Sequence, residues 1–153
     1  MRKVCAVVLS VVIGLWMLTG CGMNTSESIV FSVGTGDDIR VSLNTSDGMH
    51  LKQTDAGYSI VKEDVEISQA FFVERVVYEQ YIDAVSNEDG VVVNEESTKN
   101  GLTYLFYSYN GAAGQENNFI VWIDGTDTGV IIASLADMET AQTAFEKTSF
   151  SEE

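Results

Sequence analysis

The chain predicts an α+β fold: an antiparallel β-sheet with a central helix and a C-terminal helix packed on it. Three observations carry this. Apolar residues recur at every second position in short segments between residues 29 and 67, and apolar segments of strand length return after residue 91. Between residues 73 and 85 the spacing changes to the 3.6-residue period of a helix, and a second helical stripe follows Asp137. Strands, helix, strands, helix is the order of an antiparallel sheet with helices laid on it.

The first residues belong to none of this. Met1-Arg2-Lys3 is cationic, and Val4 to Leu18 is apolar apart from Ser10 and Gly14, the layout of a signal peptide. As a helix, at about 1.5 Å per residue, that segment reaches roughly 22 Å, short of the ~30 Å hydrocarbon core of a bilayer. It ends in Leu18-Thr19-Gly20-Cys21, an apolar residue, two small residues and a cysteine, which resembles the bacterial lipobox. The resemblance implies that the Cys21 thiol is diacylglycerated, that a dedicated peptidase removes residues 1–20, and that the product is a lipoprotein anchored by acyl chains such as palmitate. It further implies a place on the extracytoplasmic face of the cell membrane. Each buried CH₂ contributes about 0.8 kcal/mol, so two or more chains hold firmly without a second anchor. On this reading Cys5 is lost, Cys21 is consumed, and the exported domain has neither a disulfide nor a thiolate.

Without Arg2 and Lys3 there remain six basic residues against 23 acidic ones, a difference of −17. Arg40, Lys52, Lys62, Arg75, Lys99 and Lys147 are scattered, so no basic stripe for nucleic acid is predicted.

Residues 21–28 are predicted as a polar tether, residues 29–150 as a single domain and residues 151–153 as a tail. Ile29 to Val33 and Ile39 to Leu43 alternate around Gly34-Thr35-Gly36-Asp37-Asp38, predicting a hairpin. Met49 to Gln53, Tyr58 to Lys62 and Val65 to Ile67 continue a meander of short strands. Val73, Val76, Val77, Tyr81, Ala84 and Val85 form one helical stripe, predicting a helix that starts between Gln69 and Val73 and stops before Gly90. Val91 to Glu95, Leu102 to Tyr109, Phe119 to Ile123 and Gly129 to Leu135 follow as strands. The last three hold nearly continuous apolar runs, which predicts burial on both faces. Asp137 caps a closing helix whose apolar stripe is Met138, Ala141 and Phe145.

This order, with the early strands through Ile60, the helix of Val73 to Val85, the strands ending Thr128-Gly129-Val130-Ile131-Ile132-Ala133-Ser134 and the helix before Phe150, resembles a PsbP-like domain. The resemblance implies a sandwich and a binding or assembly role. It transfers no catalytic residue.

No cofactor, metal or catalytic set is predicted. His50, the single histidine, sits on a strand facing away from Met49 and Leu51, with no Gly-x-Ser-x-Gly turn elsewhere to supply a nucleophile. Asp124-Gly125-Thr126-Asp127-Thr128-Gly129 departs from the calcium-loop pattern and reads as a hairpin turn, as does Gly36-Asp37-Asp38. Glu95-Glu96 and Glu152-Glu153 are not positioned as acid and base. The richest aromatic stretch supplies a candidate ligand groove of Tyr104, Phe106, Tyr107, Tyr109 and Trp122, with Tyr104 and Phe106 on one strand face and Tyr107 and Tyr109 on the other. Gly111 to Asn117 is predicted as a mobile lip beside it.

These residues lead to a non-enzymatic, membrane-anchored binding or assembly module for an extracytoplasmic protein, peptide or wall component. Two further readings stay open: an inhibitor or immunity factor that captures a cationic protein or peptide, and weak glycan or cation binding at the aromatic stretch or the Asp124 loop.

Overall fold

Residues 25–153 are the part of the chain that the computed structural model describes. The leader, the Leu18-Thr19-Gly20-Cys21 segment and the first residues of the tether lie outside them. β1 (Ser26–Ser32) and β2 (Asp38–Asn44) form the predicted antiparallel hairpin, with β1 reaching back into the stretch read as tether. β3 (Met49–Gln53), β4 (Gly57–Lys62) and β5 (Val65–Glu74) follow, then α1 (Arg75–Asn87). β6 (Val92–Lys99), β7 (Leu102–Gly111), β8 (Gly114–Ile123), β9 (Thr128–Ala133), α2 (Met138–Glu146) and β10 (Thr148–Glu152) complete the described chain.

The α+β class and the antiparallel pairing hold. The single sheet does not, because the strands divide into two: a three-stranded sheet of order β1-β2-β10 and a seven-stranded sheet of order β3-β4-β5-β9-β8-β7-β6. The N-terminal meander breaks at Ser46-Asp47-Gly48, where Gly48 at φ 81° passes the chain from one sheet to the other. Alternation shows that a strand has two faces; it does not name the strand's neighbour.

The central helix also starts later than predicted. Val73 pairs with Gly129 in β5, Val76 and Ala84 are exposed, and the inward stripe runs through half-buried Val77, Tyr78, Tyr81 and Ile82 to buried Val85. Phe71-Phe72-Val73 suits a half-buried strand, and the ladder with β9 settles residues whose spacing satisfied both periods. In α2, Asp137 caps as predicted, accepting from Thr140 N at 2.9 Å. Ala141, Ala144 and Phe145 are buried there, whereas Met138 is exposed. The predicted tail contributes Ser151 and Glu152 to β10.

β7, β8 and β9 are covered on both faces, as their apolar runs predict. On the inner face Tyr104, Phe106, Phe119, Val121, Val130 and Ile132 pack against α2 and the three-stranded sheet. On the outer face Leu105, Tyr107, Ile120 and Ile131 pack against α1. The helices therefore lie on opposite sides of the large sheet.

Two turns lock the small sheet onto the large one. The carboxylate of Asp37, in the β1–β2 turn, accepts from Asp127 N in the β8–β9 turn at 2.9 Å and from Oγ1 of Thr128, the first residue of β9, at 2.7 Å. Thr35 and Thr128 share a hydroxyl hydrogen bond of 2.6 Å beside it.

Candidate functional site

With strands about 4.8 Å apart, three strands span roughly 10 Å while seven span about 29 Å. The small sheet and α2 together therefore do not cover the whole inner face. Where β6 and β7 pass α2 and β10 lies a cleft of about 360 Å³, a volume in the range of small-ligand pockets. Leu102 and Tyr104 form its floor, Phe145 and Phe150 its opposite wall, and Lys99 and Glu146 stand on its rim.

The register explains the polar side. Glu95, Ser97 and Lys99 lie opposite Phe106, Tyr104 and Leu102, so they share the inner face with them. The Tyr104 hydroxyl donates to Glu95 Oε1 at 2.5 Å. Lys99 Nζ is 3.6 Å from the same oxygen and 5.3 Å from the centre of the Tyr104 ring. The Tyr104 hydroxyl above all, with the charges of Glu95 and Glu146 beyond it, holds the Lys99 ammonium above its ordinary pKa. The aromatic wall is rigid: Phe145 stacks on Phe119 at 4.2 Å and meets Tyr104 edge-on at 4.9 Å, and Phe119 stacks on Phe106 at 4.4 Å.

Of the five predicted groove residues only Tyr104 borders this cleft, and with Lys99 over its ring it is itself 3% exposed. Phe106 is core, 2% exposed. Tyr107, Tyr109 and Trp122 face outward toward α1, so the five do not line one groove. Trp122 is buried beneath the Arg75 guanidinium, 4.0 Å from the ring centre, and beside Tyr78 at 5.1 Å. Burial raises the pKa of Tyr107 and of Tyr78. The predicted lip is mostly strand, since β7 and β8 pair out to Gly111 and Gly114 and only two residues turn between them. Asn117 is buried inside a polar seam there, accepting from Ser108 Oγ at 2.8 Å and donating to Ala136 O at 2.8 Å.

No family model, curated protein or solved structure matches the chain. Its chemistry is read from its own geometry.

His50 is exposed, as alternation predicts, and its Nδ1 lies 2.7 Å from Glu27 Oε1. Glu27 Oε2 also accepts from Leu51 N at 2.8 Å, so this carboxylate ties β1 to the edge of the large sheet. The hydrogen bond to His50 is the main force lowering the Glu27 pKa. The two loops weighed as cation sites meet, but Asp37 Oδ2 is occupied by the donors of the turn clasp. Among the described residues no three carboxylate, histidine or cysteine groups gather as a metal site. Glu153 forms a two-toothed pair with Arg40 at 2.5 and 2.7 Å.

A second hollow, of about 340 Å³, lies between β1 and the β3–β4 turn over Phe31 and Phe72. It lacks a charged pair of the Lys99–Glu95 kind. The sequence pointed to Tyr104 but not to Lys99, Glu146, Phe145 or Phe150. Even spacing from Glu95 to Lys99 on one strand was the only available signal, placing both on one face.

Proposed function

We propose that the chain is a non-enzymatic binding module, anchored through lipid on Cys21 at the extracytoplasmic face of the cell membrane, and that its partner protein or peptide engages the cleft beside β10. The observation that carries the reading is the cleft itself, a rigid aromatic floor and wall beneath a rim of opposed charges. A pocket lined by apolar and aromatic side chains with a few placed polar groups has the form of a binding site. Of the titratable groups there, the Tyr104 hydroxyl and the Glu95 carboxylate are committed to each other, and Lys99 stands beside that carboxylate. The cationic start, apolar core and terminal cysteine of residues 1–21 support the anchor. Among the described residues no helix is long and apolar enough to cross a membrane. The order of elements supports a PsbP-like sandwich as the finer description of the fold, with assembly or binding as the role that resemblance implies.

Surface crosslinking in cells, followed by identification of what is attached, tests this. The wild-type chain is expected in the membrane fraction with a defined crosslinked partner, and Cys21→Ala is expected to leave an unprocessed or released chain. An unchanged membrane fraction in Cys21→Ala removes the lipid anchor. A purified chain that hydrolyses a panel substrate, with turnover abolished by one carboxylate substitution, removes the non-enzymatic reading.

A second reading, capture of a cationic attacker, is favoured by the excess of 23 acidic residues over eight basic ones. Such an excess steers a basic partner at low ionic strength. Loss of all affinity for basic proteins at low salt would end it.

A further inference from the structure

The cleft is bounded by an unpaired strand edge. β10 ends the three-stranded sheet, and among the described residues its only strand partner is β2. Asn44 N donates to Lys147 O at 2.9 Å and Glu153 N donates to Asp38 O at 3.0 Å. The odd-numbered residues from Lys147 to Glu153 therefore turn their backbone groups toward β2. Because direction alternates along an antiparallel strand, Phe150 and Glu152 present N–H and C=O on the open side. β6, the other free edge at the cleft, is blunted by a bulge between Val93 and Glu95 and by adjacent glutamates. The register of β10 with β2 is regular.

The interior of the cleft shows what chemistry it accommodates. An ammonium group, that of Lys99, lies over the Tyr104 ring beside the Glu95 carboxylate, with Glu146 on the same rim. Cation, aromatic face and carboxylate form a recurrent recognition set. The surrounding molecule carries a formal charge of −15, which favours a positively charged arrival over a negative one.

We infer that the cleft receives an extended segment of a partner protein, which adds to the free edge of β10 and sets a lysine or arginine on the Tyr104 face, in the place Lys99 holds. The inference rests on the binding-module reading and names the chemistry of its partner. Strand addition draws its affinity from main-chain hydrogen bonds and its selectivity from alternate side chains. Phe145, Phe150 and Leu102 receive an apolar neighbour of the cation, and Lys99 acts as an internal competitor that must swing aside.

The test uses the full chain in a nonionic detergent and a labelled peptide of alternating valine and lysine, followed by fluorescence anisotropy at low and high salt. Saturable binding is expected, falling about tenfold when alternate backbone amides of the peptide are N-methylated, since that blocks the ladder. Glu152→Pro removes one free-edge N–H without touching the pairing with β2, a tolerated place for proline. It is expected to weaken binding as N-methylation does, while Glu152→Gln does so far less. Lys99→Ser is expected to tighten binding about threefold or more, whereas Glu95→Gln with Glu146→Gln weakens it. Thermal melts establish that each variant folds. The inference is overturned by absence of binding, by binding indifferent to both N-methylation and Glu152→Pro, or by weaker binding in Lys99→Ser. Crosslinking in cells separates the docking site from the binding module. A partner retained at unchanged yield by the Glu152→Pro variant sinks the docking site but leaves the binding module standing, while a wild type that captures nothing sinks the module itself.

Discussion

Substituting Asp37 with alanine removes the clasp between the two sheets. Its Oδ2 accepts two bonds from the β8–β9 turn and the start of β9, one from the hydroxyl of completely buried Thr128 at 2.7 Å and one from the exposed Asp127 N–H at 2.9 Å. A hydrogen bond to a charged group is worth about 1.5–3 kcal/mol when sheltered and roughly half that in solvent. Thr128 retains its bond with Thr35 at 2.6 Å, so no buried hydroxyl is orphaned. The expected loss is therefore about 2–3 kcal/mol rather than more. With a urea slope of about 1–3 kcal/mol per molar for a chain of this size, the midpoint falls by about 0.7–3 M. Tryptophan fluorescence in urea measures it. Asp37→Asn keeps an acceptor without the charge and is expected to lose about half as much. If Asp37→Ala moves the midpoint no further than a control substitution at exposed Asp55, the turns do not hold the sheets together and the reasoning fails.

Phe145→Ala, which removes the ring between Phe119 and Tyr104, is expected to cost about 3–5 kcal/mol in the same assay. A Cβ on Gly57 would fall within contact distance of the Ala70 carbonyl oxygen and Phe71 Cα. Gly57→Ala is accordingly expected to destabilise by more than about 2 kcal/mol, read as a drop in melting temperature. The folded pKa of Glu27 lies below its ordinary 4.5, so its contribution is fully present above that value and is lost as pH falls through the folded pKa. Because its side chain is 39% exposed, solvent screening limits this to about 1 kcal/mol or less. Wild type should lose that margin over Glu27→Gln in acid melts below pH 4.5, and equal slopes for the two would refute it.

The hairpin of β1 and β2 was legible because alternation and turn residues agree there, and β7 to β9 because an unbroken apolar run requires cover on both faces. The length of β5 was not. Phe71, Phe72 and Val73 fit either period, and only their ladder to residues 128–133, far along the chain, decides between them. β10 gave almost no signal, since Phe150 is the one apolar residue in Thr148–Glu152. The same distance in sequence hid the cleft. Tyr104 was visible as an aromatic residue, but its wall comes from Phe145 and Phe150, and no local pattern joins the two segments. The split of Tyr104 and Phe106 from Tyr107 and Tyr109 was legible from strand parity, and it is what prevents these rings from forming one groove.

β2 has the first described strand on one flank and the last on the other. Leu43 thus meets Glu27 on one side and Thr148 on the other. Such a sheet cannot close until Thr148–Glu152 is present, and contacts so far apart in sequence make folding slow. The inner core therefore stays open on one side until Phe150 arrives to complete it. Removing the last six residues should therefore affect more than the strand that is lost. Without Phe150 the β1–β2 hairpin loses its second partner, and the folded state is deprived of the step that closes it.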